Sequence, residues 1–131
     1  MNRFLRKNSR GQNLVEFALI LPVFLLLVLF IFDISRAVYF YSVMYNAVRE
    51  GARVAAVGET NVVVIKTVVV QRAFGMALDP VAGVIVTIGT DEVVVSASYE
   101  YNPVTPLISA FLPSGRLNLQ AETSMRLEFN K

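Results

Sequence analysis

The sequence predicts an α+β fold: a long N-terminal membrane-spanning helix continuing into an amphipathic helix, then a second helix and a three-stranded antiparallel sheet. Three observations carry this. Residues 17–32 (FALILPVFLLLVLFIF) hold no charged side chain. From Ile34 onward, apolar residues recur every three to four positions, the period of one helix face. In residues 117–129, Leu117, Leu119, Ala121, Thr123, Met125, Leu127 and Phe129 alternate with polar residues, the period of a half-buried strand. A chain of 131 residues has room for one modest core. Its 55% hydrophobic content and mean hydropathy of +0.56 exceed what such a core requires.

The first element follows from charge and oil together. Arg3, Arg6, Lys7 and Arg10 put four positive charges in the first ten residues, with no acid among them. From Leu14, about 19 residues follow with Glu16 as the single charge. A helix rising ~1.5 Å per residue needs ~20 residues to cross a ~30 Å hydrocarbon core. Fourteen of the 16 uncharged residues are Leu, Ile, Val or Phe. Each favours insertion by roughly 0.3–0.6 kcal/mol, together outweighing one poorly placed carboxylate. The positive-inside rule keeps the basic arm cytoplasmic as a topology signal and sends the remaining ~95 residues across the membrane. A cleaved secretory signal would have a shorter apolar stretch and a small-x-small site, which Ser35-Arg36-Ala37 matches loosely. A plain signal anchor explains the arm and the apolar run but gives Glu16 no purpose, and an ionisable residue at a membrane helix end is a functional candidate by default. Pro22 removes one backbone hydrogen bond inside the run, a loss membrane helices tolerate.

Past Asp33, which ends the run, Ile34, Val38, Tyr41, Tyr45, Val48, Ala52 and Ala55 or Ala56 trace the predicted apolar stripe to Val57. Residues 12–57 thus read as one rod of roughly 70 Å. Tyr39, Tyr41 and Tyr45 suit either an interfacial belt or core packing. Gly51 and its neighbouring alanines leave a low surface for another element, and Arg49 and Arg53, four apart, call for an acidic partner. After the break at residues 58–61, the valines of 61–74 favour a strand through their β-branching. The spacing of Val62, Ile65, Val69 and Ala73 favours a helix, and helix is the assignment taken. A loop follows to Gly83. Residues 84–88 and 93–101 form a hairpin about Gly89-Thr90-Asp91-Glu92. Residues 107–112 form a short helix, and the alternating segment completes the sheet.

Gly11-Gln12-Asn13-Leu14-Val15-Glu16-Phe17, a basic leader followed by G-Q-x-x-x-E-F and an apolar helix, resembles the processing site of type IVb prepilins and pseudopilins. Arg49-Glu50-Gly51-Ala52-Arg53-Val54-Ala55-Ala56 resembles a stretch of TadE-like minor pilins of the Flp (tight adherence) pilus, as does Asn102-Pro103-Val104-Thr105-Pro106. The resemblance implies a pilin-like layout: a leader at 1–11, a long helix at 12–57 with its membrane part at about 14–32, and an extracytoplasmic domain at 58–131. It also implies cleavage between Gly11 and Gln12 by a membrane-embedded prepilin peptidase, with Glu16 and Phe17 completing the assembly and processing motif. Gln12 and Glu16, four apart, share a helix face. The new ammonium of Gln12 could therefore pair with the Glu16 carboxylate, within a subunit or between neighbours, where a dry environment strengthens attraction and penalises unpaired charge. The implied partners are the membrane, the prepilin peptidase, other pilin and minor pilin subunits and an inner-membrane assembly platform. The implied location is the inner membrane, single-pass with the N-terminus cytoplasmic, and the extracellular pilus.

Enzymology has few tools here. With no Cys and no His, thiol nucleophiles, Ser-His-Asp triads, disulfides and imidazole-bound metals are excluded. Phosphate-binding glycine loops and nucleophile elbows are missing, and Asp91-Glu92, the only adjacent acidic pair, suits a hairpin turn. Neither a catalytic role nor a cofactor or metal is expected. Nucleic acid is not expected either, although the pI is near 9.2. Past Gly11, eight basic and ten acidic residues are scattered singly, a side-chain net of −2, so the basicity belongs to the leader.

Overall fold

The structure is a computed structural model that describes residues 9–128. It contains the expected α+β elements: α1 (Ser9–Ala56), α2 (Val62–Arg72), β1 (Val84–Ile88), β2 (Glu92–Tyr101), α3 (Pro106–Phe111) and β3 (Leu117–Arg126). α1 runs unbroken for 48 residues, through Pro22, which at ~1.5 Å per residue is about 72 Å. It starts ahead of the expected Gln12 because extending an existing helix through Ser9, Arg10 and Gly11 is far easier than nucleating one. Its C-terminus closes as a Schellman turn. Gly58 has φ +125°, its N–H donates to the Ala55 carbonyl at 3.2 Å, and the Glu59 N–H donates to the Val54 carbonyl at 3.3 Å. Asn61 then caps α2 by accepting from the Val63 N–H at 3.0 Å. That cap and the burial of Ile65, Val69 and Ala73 outweigh the strand preference of the valines.

The three strands form one antiparallel sheet in the order β1-β2-β3, with Val84 opposite Ala97 and Tyr101 opposite Leu117. Val93, Val95, Ala97, Tyr101 and Ala121 turn inward on the C-terminal half of α1, where Met44, Ala47, Val48, Ala52 and Ala55 are fully buried, and Val84 of β1 joins the same core on the side of α2. Each large aliphatic side chain buried here contributes roughly 1.5–3 kcal/mol. β3 ends at Arg126, short of the expected residue 129. Leu127 and Glu128 leave the ladder so that their N–H groups meet the Asp91 and Ala56 carbonyls at 2.9 and 3.0 Å, and Phe129 lies outside the described residues.

The predicted stripe on α1 needs correction. Ile34, Val38, Tyr41 and Tyr45 are all exposed, while Phe40, Met44, Ala47 and Val48 face the core. Two apolar tracks with helical spacing run side by side here. The true one begins at Asp33, and its charge disguised it. Of the two roles open to Tyr39, Tyr41 and Tyr45, core packing is removed: Phe40 occupies the core position, with Tyr39 beside it at a ring-centroid distance of 5.7 Å.

The low surface around Gly51 does receive another element. A Cβ at this position would collide with Val69 Cγ2 of α2, so only glycine permits this approach. Arg53 finds its acid one turn away: its Nε and Nη2 donate to the Glu50 carboxylate at 3.1 and 2.8 Å. Arg72 of α2 approaches the same carboxylate at 3.7 Å.

Candidate functional site

The expected motif lies on the part of α1 that projects beyond the domain. Residues 11–32 are exposed all round, with Val28 half-buried. Gly11, Gln12, Glu16 and Phe17 are all helical and all exposed, and Gln12 and Glu16 sit one turn apart on one face. A Cβ at Gly11 would meet nothing within 4 Å among the described residues, so their packing does not demand glycine there. Arg3, Arg6, Lys7 and the side chain of Arg10 lie outside the described residues. Among the described residues, α1 is the one helix long and apolar enough to cross a membrane, and it fits a single-pass anchor.

The second constellation stands where that segment enters the domain. Asp33, the first residue after the uncharged run, is only 4% exposed. Its carboxylate accepts from the backbone N–H of Thr105 at 2.7 Å, from that of Val104 at 2.9 Å and from the Tyr101 hydroxyl at 3.2 Å. The phenolic proton is shared with the Asp33 carbonyl at 3.3 Å. Burial by itself would raise the Asp33 carboxyl, but the hydrogen bonds from Thr105, Val104 and Tyr101 outweigh it and hold the carboxyl below its ordinary value. Burial, then the Asp33 charge, pushes the Tyr101 phenol up. One turn on, the Arg36 guanidinium lies 5.5 Å from the Phe40 ring centroid and 5.8 Å from that of Tyr101, a cation–π arrangement. The rings themselves pack, with Phe40 5.7 Å from Tyr99 and 5.8 Å from Tyr101.

Sequence reasoning treated Asp33 as the end of an apolar run and missed this tie. The available signal was a lone acid at a membrane boundary, which needs a partner. The partner is 71 residues away and comprises two backbone N–H groups, which no side-chain pattern announces.

Residues 11–53 match the sequence model of the family described as TadE-like protein. The TadE-like segment takes in the G-Q-x-x-x-E-F motif, the membrane-length run, Asp33 and the helix as far as Arg53, and over this stretch the chain is similar to components associated with the Tad pilus. It ends before α2 and the sheet, so the Asn102-Pro103-Val104-Thr105-Pro106 resemblance lies outside it. No curated protein matches the chain, and no solved structure does.

Proposed function

We propose that this protein is a structural minor pilin or pseudopilin, without catalytic activity of its own. A prepilin peptidase processes it between Gly11 and Gln12, and it then serves in assembling a Flp/Tad-type pilus or a related secretion apparatus. One observation carries the reading: a G-Q-x-x-x-E-F motif opens a membrane-length helix that stands clear of its own domain, within the TadE-like segment. Among the described residues, no side chain of 12–32 joins the domain core, so their partners are lipid and then other helices. Assembly moves this helix from the bilayer into a bundle of like helices, exchanging lipid contacts for side-chain packing. Glu16 pairs with the Gln12 ammonium of a neighbour and sets axial register, since a charge entering such a bundle must be matched. The basic leader keeps the N-terminus in the cytoplasm, and the sheet domain lies outside.

A competing reading is an uncleaved, membrane-anchored accessory protein, and α1 running unbroken through Gly11 is compatible with it. Ordinary signal cleavage after Ala37 fits poorly, because it would remove Asp33 and every hydrogen bond its carboxylate accepts. N-terminal sequencing or intact mass measurement, after co-expression with a prepilin peptidase, separates these. Gln12 as first residue supports the proposal, and an intact Met1 overturns the processing step in favour of the anchor.

A further inference from the structure

Between Glu100 and Arg116, whose side chains pair at 2.6 Å, residues 101–115 carry no charge at all. This stretch leaves β2, forms α3 and returns into β3. The Asp33 carboxylate holds it in place through the Val104 and Thr105 N–H groups. The loop is therefore fixed at the level of α1 that directly follows the last residue of the uncharged run, Phe32. α3 reaches further. Ile108, Phe111 and Leu112 share an apolar groove of about 310 Å³ with Phe30, one step of three residues, or about 4.5 Å, back toward the N-terminus. Phe111 is 83% exposed and Val104 66%, so no other described residue covers them.

We propose that this loop and α3 form a second membrane contact, in which Phe111 and Val104 insert among the acyl chains at the outer surface of the bilayer that α1 crosses. The proposal rests on residues 14–32 spanning the membrane. The occupant is lipid because one wall of the groove is Phe30, itself part of the spanning run, so the side chains beside it face the same medium. A short uncharged helix with an exposed aromatic, flanked by charged residues on the water side, suits the boundary where peripheral segments bury their apolar face ~5–10 Å deep. Phe74, 80% exposed, is a strongly exposed apolar side chain at a different level. Phe74 follows the end of α2, where Arg72 meets Glu50, some 17 residues or about 25 Å along α1 from Asp33.

The chain has no cysteine, so single labels are clean. Phe111→Cys, Phe24→Cys and Phe74→Cys in the full-length protein, each carrying an environment-sensitive fluorophore, would be reconstituted at low protein density into phosphatidylcholine–phosphatidylglycerol vesicles. Some vesicles would contain lipid bearing a doxyl quencher high on the acyl chain, which reports on position 111, and others lipid bearing one near the chain end, which reports on position 24 at the middle of the span. The expected result is loss of most fluorescence at positions 24 and 111 and none at 74. Quenching at 24 without quenching at 111 overturns the proposal and leaves the spanning helix standing. Quenching at none of the three overturns the spanning helix and the proposal with it. Equal quenching at 74 overturns the proposal as nonspecific adsorption. Protection of position 111 from aqueous iodide without doxyl quenching places a protein surface, such as a second copy, in the groove and overturns the lipid assignment.

Discussion

Replacing Asp33 with Ala removes the acceptor for two backbone N–H groups and takes one of the two acceptors from the Tyr101 hydroxyl. A hydrogen bond to a charged acceptor is worth about 1.5–3 kcal/mol, and a buried donor left unmade costs about 1–3 kcal/mol. These contributions overlap, because the same donors enter both, so the expected loss is about 3–5 kcal/mol. Better helix propensity of Ala over Asp returns at most ~0.7 kcal/mol. Against a typical total stability of ~5–15 kcal/mol, this is a severe lesion. Asp33→Asn separates shape from charge: its carboxamide can accept on one side only, and its NH₂ must face the N–H of Val104 or Thr105. It should fall between wild type and Asp33→Ala. Denaturant unfolding of the full chain in detergent, followed by near-ultraviolet dichroism of its tyrosines, reads both. The carboxyl has a lower pKa folded than unfolded. Its contribution is therefore present above the unfolded carboxylate range near pH ~4 and is lost as pH falls through that range toward the depressed folded value. Wild type should lose stability in this window and Asp33→Ala should lose less. If Asp33→Ala unfolds within ~0.5 kcal/mol of wild type, the clamp is not holding the loop and the reasoning fails.

Tyr101→Phe keeps the ring packing and deletes only the shared hydroxyl bond, so a loss of about 1–2 kcal/mol is expected in the same assay. Gly51→Ala should destabilise by about 1–2 kcal/mol: its Cβ meets Val69 Cγ2, and β-branched Val69 has little rotamer freedom within a helix, so overpacking outweighs the helix propensity gained. Gly11→Ala, at a position with open space around it, should leave unfolding unchanged; a block of processing, seen as retention of the leader on N-terminal sequencing, would show that the peptidase is what demands glycine. Glu16→Ala should insert into membranes normally and fail to incorporate into the assembly, which membrane fractionation and pilus preparation report separately; normal incorporation would remove its role in register.

How far the sequence reveals this molecule depends on how local each signal is. The membrane run, the hairpin and the final strand are written in contiguous residues, and each appears where its period indicates, although the last strand stops at Arg126. The side of α1 that faces the core was legible from Val48 onward but not before it, because Ile34, Val38 and Tyr41 trace as good a stripe as Phe40, Met44 and Ala47. Only the sheet, assembled from residues more than 30 positions later, chooses between them. The G-Q-x-x-x-E-F motif is legible because it is a contiguous string. The Asp33 tie is not, since its partners include the amides of Val104 and Thr105, and any residue but proline carries an amide.

The grip on α1 has a mechanical consequence. The domain holds the rod at Asp33 through hydrogen bonds and from Phe40 to Ala55 through packing, so no swivel separates the stalk from the sheet. Tension along the rod therefore enters the domain as sliding along the helix axis, which must break the packing of all these contacts at once. Peeling, which loads one contact at a time, has no free end from which to start at the membrane side. A domain held this way turns, tilts and bears load together with its helix, so the angle at which the helix sits fixes the direction its sheet faces.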